Sequence, residues 1–174
     1  MFARHRAVQA VVSAAALVAL LGAPAPTHAT TDPPLAPPAA ASAKVSPPAK
    51  VALRGPLKKV LTKVNKARAR HGRKPLKVSA CLTNDVAQPW ARHMARTGRL
   101  EHRNLTKIFE LCPGFSTVGE NIAYGYPTAA AVMKAWMHSE GHRANILRKS
   151  FHRIGLGLVT SSNGTKYWVQ DFGG

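Results

Sequence analysis

The sequence predicts an α+β domain in which helices cover a small sheet, and three observations carry that prediction. Apolar residues recur at helical spacing in three stretches: Leu57, Val60, Leu61 and Val64; Leu82, Val86, Trp90 and Met94; and Ala130, Val132, Met133, Trp136 and Met137. Near the end the period changes to two. Ile154, Leu156 and Leu158 alternate with Gly155, Gly157 and Val159, and Tyr167-Trp168-Val169-Gln170 follows an Asn163-Gly164 pair, the dipeptide that favours a hairpin turn. Helices first and paired strands last describe a sheet with helices packed against it.

The domain does not begin at Met1. Arg4, His5 and Arg6 precede an apolar run over residues 7–21, and Thr27-His28-Ala29 offers small residues at a cleavage position, so residues 1–29 are expected to be a secretory signal peptide. A second cut after Ala25 is weaker because Pro26 would follow it. An uncleaved anchor is the alternative, but a span needs ~20 apolar residues. Residues 30–55 are Pro, Ala and Ser with scattered Lys. They cannot bury enough apolar surface to offset the entropy of ordering, and their Pro pairs favour an extended spacer. The folded domain is therefore expected over 56–174.

The whole chain carries 25 Lys and Arg against 7 Asp and Glu, a formal charge of +18. Such a surface attracts anionic polymers and lipids, and says nothing about fold. Much of the charge falls near the start of the domain: Lys58, Lys59, Lys63, Lys66, Arg68, Arg70, Arg73, Lys74 and Lys77. They form no nucleic-acid motif. A secreted chain with this surface is expected to meet an anionic cell-envelope polymer or lipid, unless the charge serves solubility alone.

In chain order, a first helix is expected over 57–70, closed near Gly72, followed by an extended link over 75–78. Ser79 caps a second helix that runs to Arg96 and stops at Gly98, and Pro89 must kink or restart it. After Leu100-Glu101-His102-Arg103-Asn104 comes an irregular stretch containing Cys112. The next segment, 118–125, is flanked by Gly119 and Gly125 and is expected to turn tightly. Pro127-Thr128 opens a third helix, a bend at 139–141 breaks it, and 143–147 adds one helical turn. Cys81 and Cys112 are an even pair in an oxidising compartment and read as one disulfide, worth roughly 3 kcal/mol in the chain-entropy model. Ligation of a metal by both thiols is the alternative, without the close Cys spacing that zinc sites use.

Several of these stretches, taken together, resemble one family. VNKARARHGRKPLKVSACL, HMARTGRLEHRN, GENIAYGY, AWMHSEGHRANIL, IGLGLV and YWVQDFG occur in that order and are similar to the bacterial branch of the CAP superfamily, the SCP domain of cysteine-rich secretory, antigen 5 and pathogenesis-related proteins. The resemblance covers about 57–174. It implies an α-β-α sandwich with a central cleft holding two His and two Glu, able to bind a divalent metal such as zinc. His102, Glu120 and His142 match the first His, the first Glu and the second His. Ser139 stands where many members carry the second Glu, and Glu140 is the neighbour available to replace it.

Two imidazoles and a carboxylate suit Zn²⁺ by ligand type. Structural roles compete for the same residues: a hydrogen-bonded His pair for His102 and His142, and a backbone-pinning carboxylate for Glu120. His138 reads as a solvated helix end, and Arg143 and Asn145 as braces of the bend. A serine-hydrolase reading of Ser139, Glu140 and His142 lacks an identifiable oxyanion loop. Trp136, Tyr167 and Trp168 read as core, and Tyr124 and Tyr126 as ligand contacts. The expected function is an extracellular binding module for a lipid or cell-envelope component, with a cleft able to take a divalent cation. The alternative is a metal-dependent, peptidase-like hydrolase using the same cleft.

Overall fold

The computed structural model describes residues 51–174; the predicted signal peptide and residues 30–50 of the predicted linker lie outside the described residues. The elements are α1 (Gly55–Arg70), β1 (Lys77–Val78), a π-helical turn (Leu82–Ala87) running into α2 (Gln88–Thr97), α3 (Thr106–Leu111), β2 (Val118–Tyr124), α4 (Ala129–His138), α5 (Glu140–Leu147), β3 (Arg153–Thr160) and β4 (Lys166–Gly173). Leu53 packs against the core, so the packed chain reaches back before Pro56.

Local chemistry explains most boundaries. Pro56 sits in the first turn of α1, where its missing N–H costs nothing. Thr128 caps α4 by accepting from the Ala131 N–H at 3.1 Å. Ser79 Oγ accepts from the Leu82 N–H at 3.3 Å, as its capping role requires. The second helix does restart at Pro89. The chain widens into a π-turn, in which the Gln88 N–H reaches back to the Thr83 carbonyl, and α2 resumes with Pro89 in its first turn. Gly98, at φ +70°, closes it.

The four strands run in the order β1-β3-β4-β2, with β1 parallel to β3 and the remaining pairs antiparallel. Side chains alternate across the sheet. Ile154, Leu156, Trp168 and Phe172 enter one core with Val60 and Val64 of α1, Val132 and Trp136 of α4, and Ile146 of α5. Ile122, Tyr167 and Val169 enter a second core under Ala91 and Met94 of α2. The result is the expected α-β-α sandwich. The strip Gly155-Leu156-Gly157 is smooth toward α2 because the π-turn backbone lies directly on it. Gln88 then completes the contact: its side-chain amide donates to the Leu158 carbonyl (3.1 Å) and accepts from the Leu158 N–H (3.0 Å). Cys81 and Cys112 form the disulfide, tying the π-turn to the end of α3.

The extended link over 75–78 becomes strand β1 at 77–78, because β3 supplies a parallel partner. Three expectations need correction. The stretch before Cys112 contains the short helix α3, started by Asn104, whose side-chain oxygen accepts from the Thr106 N–H at 3.0 Å. Residues 118–124 are a strand, not a turn. Gly119 is needed there because Phe151 lies 2.9 Å from where a Cβ would sit, and only Gly125 takes a positive φ, +80°. In α4 the alanine on the buried face is Ala129, while Ala130 is exposed.

The largest surprise is Arg68. The sequence places it in a row of solvated cations, yet it is 1% exposed. Its guanidinium donates to the carbonyls of Lys74 (2.8 Å), Ile146 (2.7 Å), Arg148 (3.0 Å) and Phe151 (3.0 Å). The planar fork thus satisfies carbonyls left open at the end of α5 and beyond it. Arg73 assists, donating to the Leu147 carbonyl at 3.1 Å.

Candidate binding cleft

Strand β2 lies at the sheet edge, so side chains from both helical layers can reach around it. Its free edge is covered. Asn145 of α5 donates to the Glu120 carbonyl (3.1 Å), and the Trp136 indole donates to the Ile122 carbonyl (3.4 Å). Buried amides fasten α5 further: Asn121 donates to the His142 carbonyl (3.1 Å) and to Gln170 (3.0 Å), and accepts from Asn145 (3.0 Å). Asn145 therefore anchors α5 to β2 and does not brace the bend. Arg143 turns away toward His71, 3.0 Å from its ring.

Glu120 is the polar centre. Its side chain is fully buried, with Oε1 2.8 Å from His102 Nδ1 and Oε2 accepting from Arg103 Nε at 2.7 Å. Arg103 also donates to the Val86 carbonyl (3.0 Å), meets Asp171 at 3.4 Å, and stacks over Trp90. The strand register sets Glu120 directly opposite Asp171. Two facing carboxylates repel, and Arg103 sits between them as the shared cation. Burial pushes the Asp171 carboxyl well above the usual range, Arg103 opposes that shift, and Glu120 adds to it. Sequence reasoning missed Arg103 and Asp171. The only sequence signals are an Arg beside His102 and a lone acid within the apolar run of the last strand.

His142 sits in the first turn of α5, its Nδ1 2.8 Å from Ser139 Oγ. A cavity of about 420 Å³ gathers His102, Glu120, Asn121, Ser139 and His142. A second, of about 240 Å³, is lined by Leu100, Ile122, Tyr124, Tyr126 and Trp136 and shares Ser139 and His142 with the first. The three matched residues are thus brought together, and the two tyrosines lie in the adjoining pocket. Glu140 is exposed and lines neither cavity. His138 is exposed at the end of α4, its ring 2.7 Å from the Lys134 carbonyl.

Burial lowers the pKa of His142, and the neighbouring His102 lowers it further. The folded protein therefore takes up this proton less readily than the unfolded chain. As pH falls below the unfolded histidine value, ~6.5, the unfolded state binds more protons and stability is lost; above that value the group has no such effect. Thermal melts between pH 7.5 and 5 are expected to show a smaller acid-side loss in His142→Gln than in the parent. Equal losses would assign the acid sensitivity elsewhere.

A divalent cation fits part of this donor set. Each imidazole uses Nδ1 for a neighbour, and among the described residues neither Nε2 has a hydrogen-bond partner. A carboxylate behind a ligating imidazole is the usual arrangement for fixing its orientation. Glu120 suits that role better than direct ligation, because both its oxygens are engaged. Among the described residues no three His, Cys, Asp or Glu side chains converge as a ready ligand set.

Fold and site together define the class: a three-layer α+β domain whose His- and Glu-lined cleft opens at an edge strand. The chain belongs to the CAP family, the cysteine-rich secretory protein family, whose model matches residues 61–172. It is 38% identical over 121 residues to the Bacillus subtilis (strain 168) protein YkwD, spanning 66% of this chain and 46% of YkwD. A crystal structure of an extracellular SCP-domain protein from Bacillus anthracis str. Ames superposes with a TM-score of 0.61 at 27% identity, covering 67% of this chain and 39% of that one. An outer surface protein from Borrelia burgdorferi superposes with a TM-score of 0.64 at 19% identity, covering 71% and 96%. The chain spans less than half of YkwD and of the Bacillus anthracis protein. Among the described residues no helix is long and apolar enough to cross a membrane.

Proposed function

We propose that this protein is an extracellular binding module whose cleft takes an amphipathic ligand, a lipid or another cell-envelope component. The observation that carries this reading is the pair of adjoining cavities that share Ser139 and His142. One is apolar and aromatic, with Tyr124 half exposed beside Tyr126; the other is polar, with two imidazoles and a buried carboxylate. Apolar walls with a few placed polar groups are how small-ligand sites are built. The extracellular assignment is supported by the description of the Bacillus anthracis relative and by the secretory pattern of residues 1–29.

His102 and His142 would hold a divalent cation such as zinc, with Glu120 orienting His102. A bound cation would supply a Lewis acid for a ligand's anionic or carbonyl oxygen. Binding is favoured over the metal-dependent hydrolase because Glu120, the carboxylate best placed to serve as a base, is already committed to His102 and Arg103.

The test is metal content. After exposure to Zn²⁺ and dialysis, near-stoichiometric zinc is expected in the parent, with at least a tenfold loss of affinity in His102→Ala/His142→Ala, since each removes a ligand. Equal zinc in both would leave the two imidazoles with structural roles only. Peptide or ester turnover abolished by a chelator and by Glu120→Gln would move the assignment to the hydrolase.

A further inference from the structure

On the layer formed by α1 and α4, away from the cleft, a groove of about 400 Å³ runs between the two helices. Lys63, Lys66 and Arg70 of α1, His71 just after it, and Lys134 of α4 form its walls, and Met133 and Met137 of α4 contribute to its floor. It continues into a hollow of about 500 Å³ along α1 that shares Lys63 and Lys66 and adds Lys58 and Lys59. Lys59, Lys63, Lys66 and Arg70 follow the i, i+4, i+7, i+11 spacing of one helical face, a line of charge about 16 Å long at 1.5 Å per residue.

No acid lines either hollow, and among the described residues none of these Lys or Arg side chains forms an ion pair. This is a row of uncompensated cations in a concave surface. Residues 1–50 contain one acid, Asp32, and a second copy brings another +18, so neither offers a run of anions to match this row. A separate polyanion does match it.

We infer that the α1–α4 groove binds a linear, phosphate-bearing polymer without nucleobases, of the poly(polyol phosphate) kind. A linear polyanion matches a linear row of point charges, and Lys contacts phosphate as a point charge. Among the described residues no Phe, Tyr or Trp on which bases would stack lines the groove, which disfavours single-stranded nucleic acid. A membrane surface fits less well. Among the described residues the exposed large apolar side chains, Leu100, Phe109, Leu111 and Tyr124, are all off α1 and α4, so α1 and α4 present none to insert beside these charges. The groove lies apart from the cleft, so its failure would leave the cleft reading untouched.

The experiment measures binding of the purified protein to fluorescent poly(glycerol phosphate) between 50 and 200 mM NaCl. Oligo(dT), free glycerol phosphate and phosphatidylglycerol vesicles run in parallel. Engaging about four cations predicts a log–log salt slope of roughly −3, by analogy with single-stranded polyanions. Lys63→Glu/Lys66→Glu is expected to weaken binding at least tenfold. Arg92→Glu/Arg96→Glu, the same charge change on exposed residues of α2 in the opposite layer, should stay within about twofold. Melting curves check that each variant is folded, and Lys134→Glu on α4 replaces the double variant if it is not. The inference is overturned if the parent fails to bind the polymer at 50 mM salt or if both double variants lose affinity equally. Equal or tighter binding of oligo(dT), of free glycerol phosphate or of the vesicles would also overturn it.

Discussion

Replacing Arg68 with Met is expected to destabilise the domain by about 4 kcal/mol. The substitution keeps much of the stem's volume, so the loss isolates the guanidinium. Four carbonyls depend on it, those of Lys74, Ile146, Arg148 and Phe151. A buried acceptor left without a partner costs about 1–3 kcal/mol, and bonds from a charged donor are stronger than neutral ones. Arg68→Lys is expected to recover little, because an ammonium cannot reproduce the fork. Urea denaturation measures both. A loss below about 1 kcal/mol for Arg68→Met would mean that water reaches those carbonyls and that the clamp is dispensable. The consequence reaches the cleft: Arg68 fastens the C-terminal end of α5, whose N-terminal turn carries His142.

Gly157→Ala is expected to cost about 3 kcal/mol through overpacking. An added Cβ would lie 2.2 Å from the Ala87 carbonyl oxygen and 2.6 Å from its carbon. Both are backbone atoms at the end of the π-turn and cannot rotate away, so the turn must lift off β3 and strain the Gln88 bonds to Leu158. Gly141→Ala is the contrasting substitution. It lies in α5 with nothing within 4 Å of the new Cβ, and should raise stability by about 0.5–1 kcal/mol through helix propensity. Thermal melting reads both changes. If Gly157→Ala melts with the parent, the close approach of the π-turn to β3 is not what holds that layer.

The candidate site was legible in the sequence where ordered motifs carried it. His102, Glu120 and His142 do share one cavity, and Tyr124 and Tyr126 do flank it. Arg103 and Asp171 were not legible, because their importance comes from strand register. Nothing local says that residue 120 will face residue 171, or that the Arg beside His102 will be drawn between them. Glu140 is a related case: Ser139, the extended residue between α4 and α5, lines both cavities, whereas Glu140, the first residue of α5, is exposed and lines neither.

Local chemistry alone settled the three main helices, the closing hairpin, the restart at Pro89, the closure at Gly98 and the pairing of the only two cysteines. Each depends on periodicity, a cap, a fixed φ or a count, and none needs a distant partner. Tertiary structure alone decided the parallel pairing of β1, Gly119 and Gly157 as points of close approach, the burial of Arg68 among eight other basic residues, and the Glu120–Arg103–Asp171 cluster. The physical reason is common to all of them. Whether a polar or small residue lies inside depends on which groups arrive from as far as 83 residues away, and that information is in the packing of the layers.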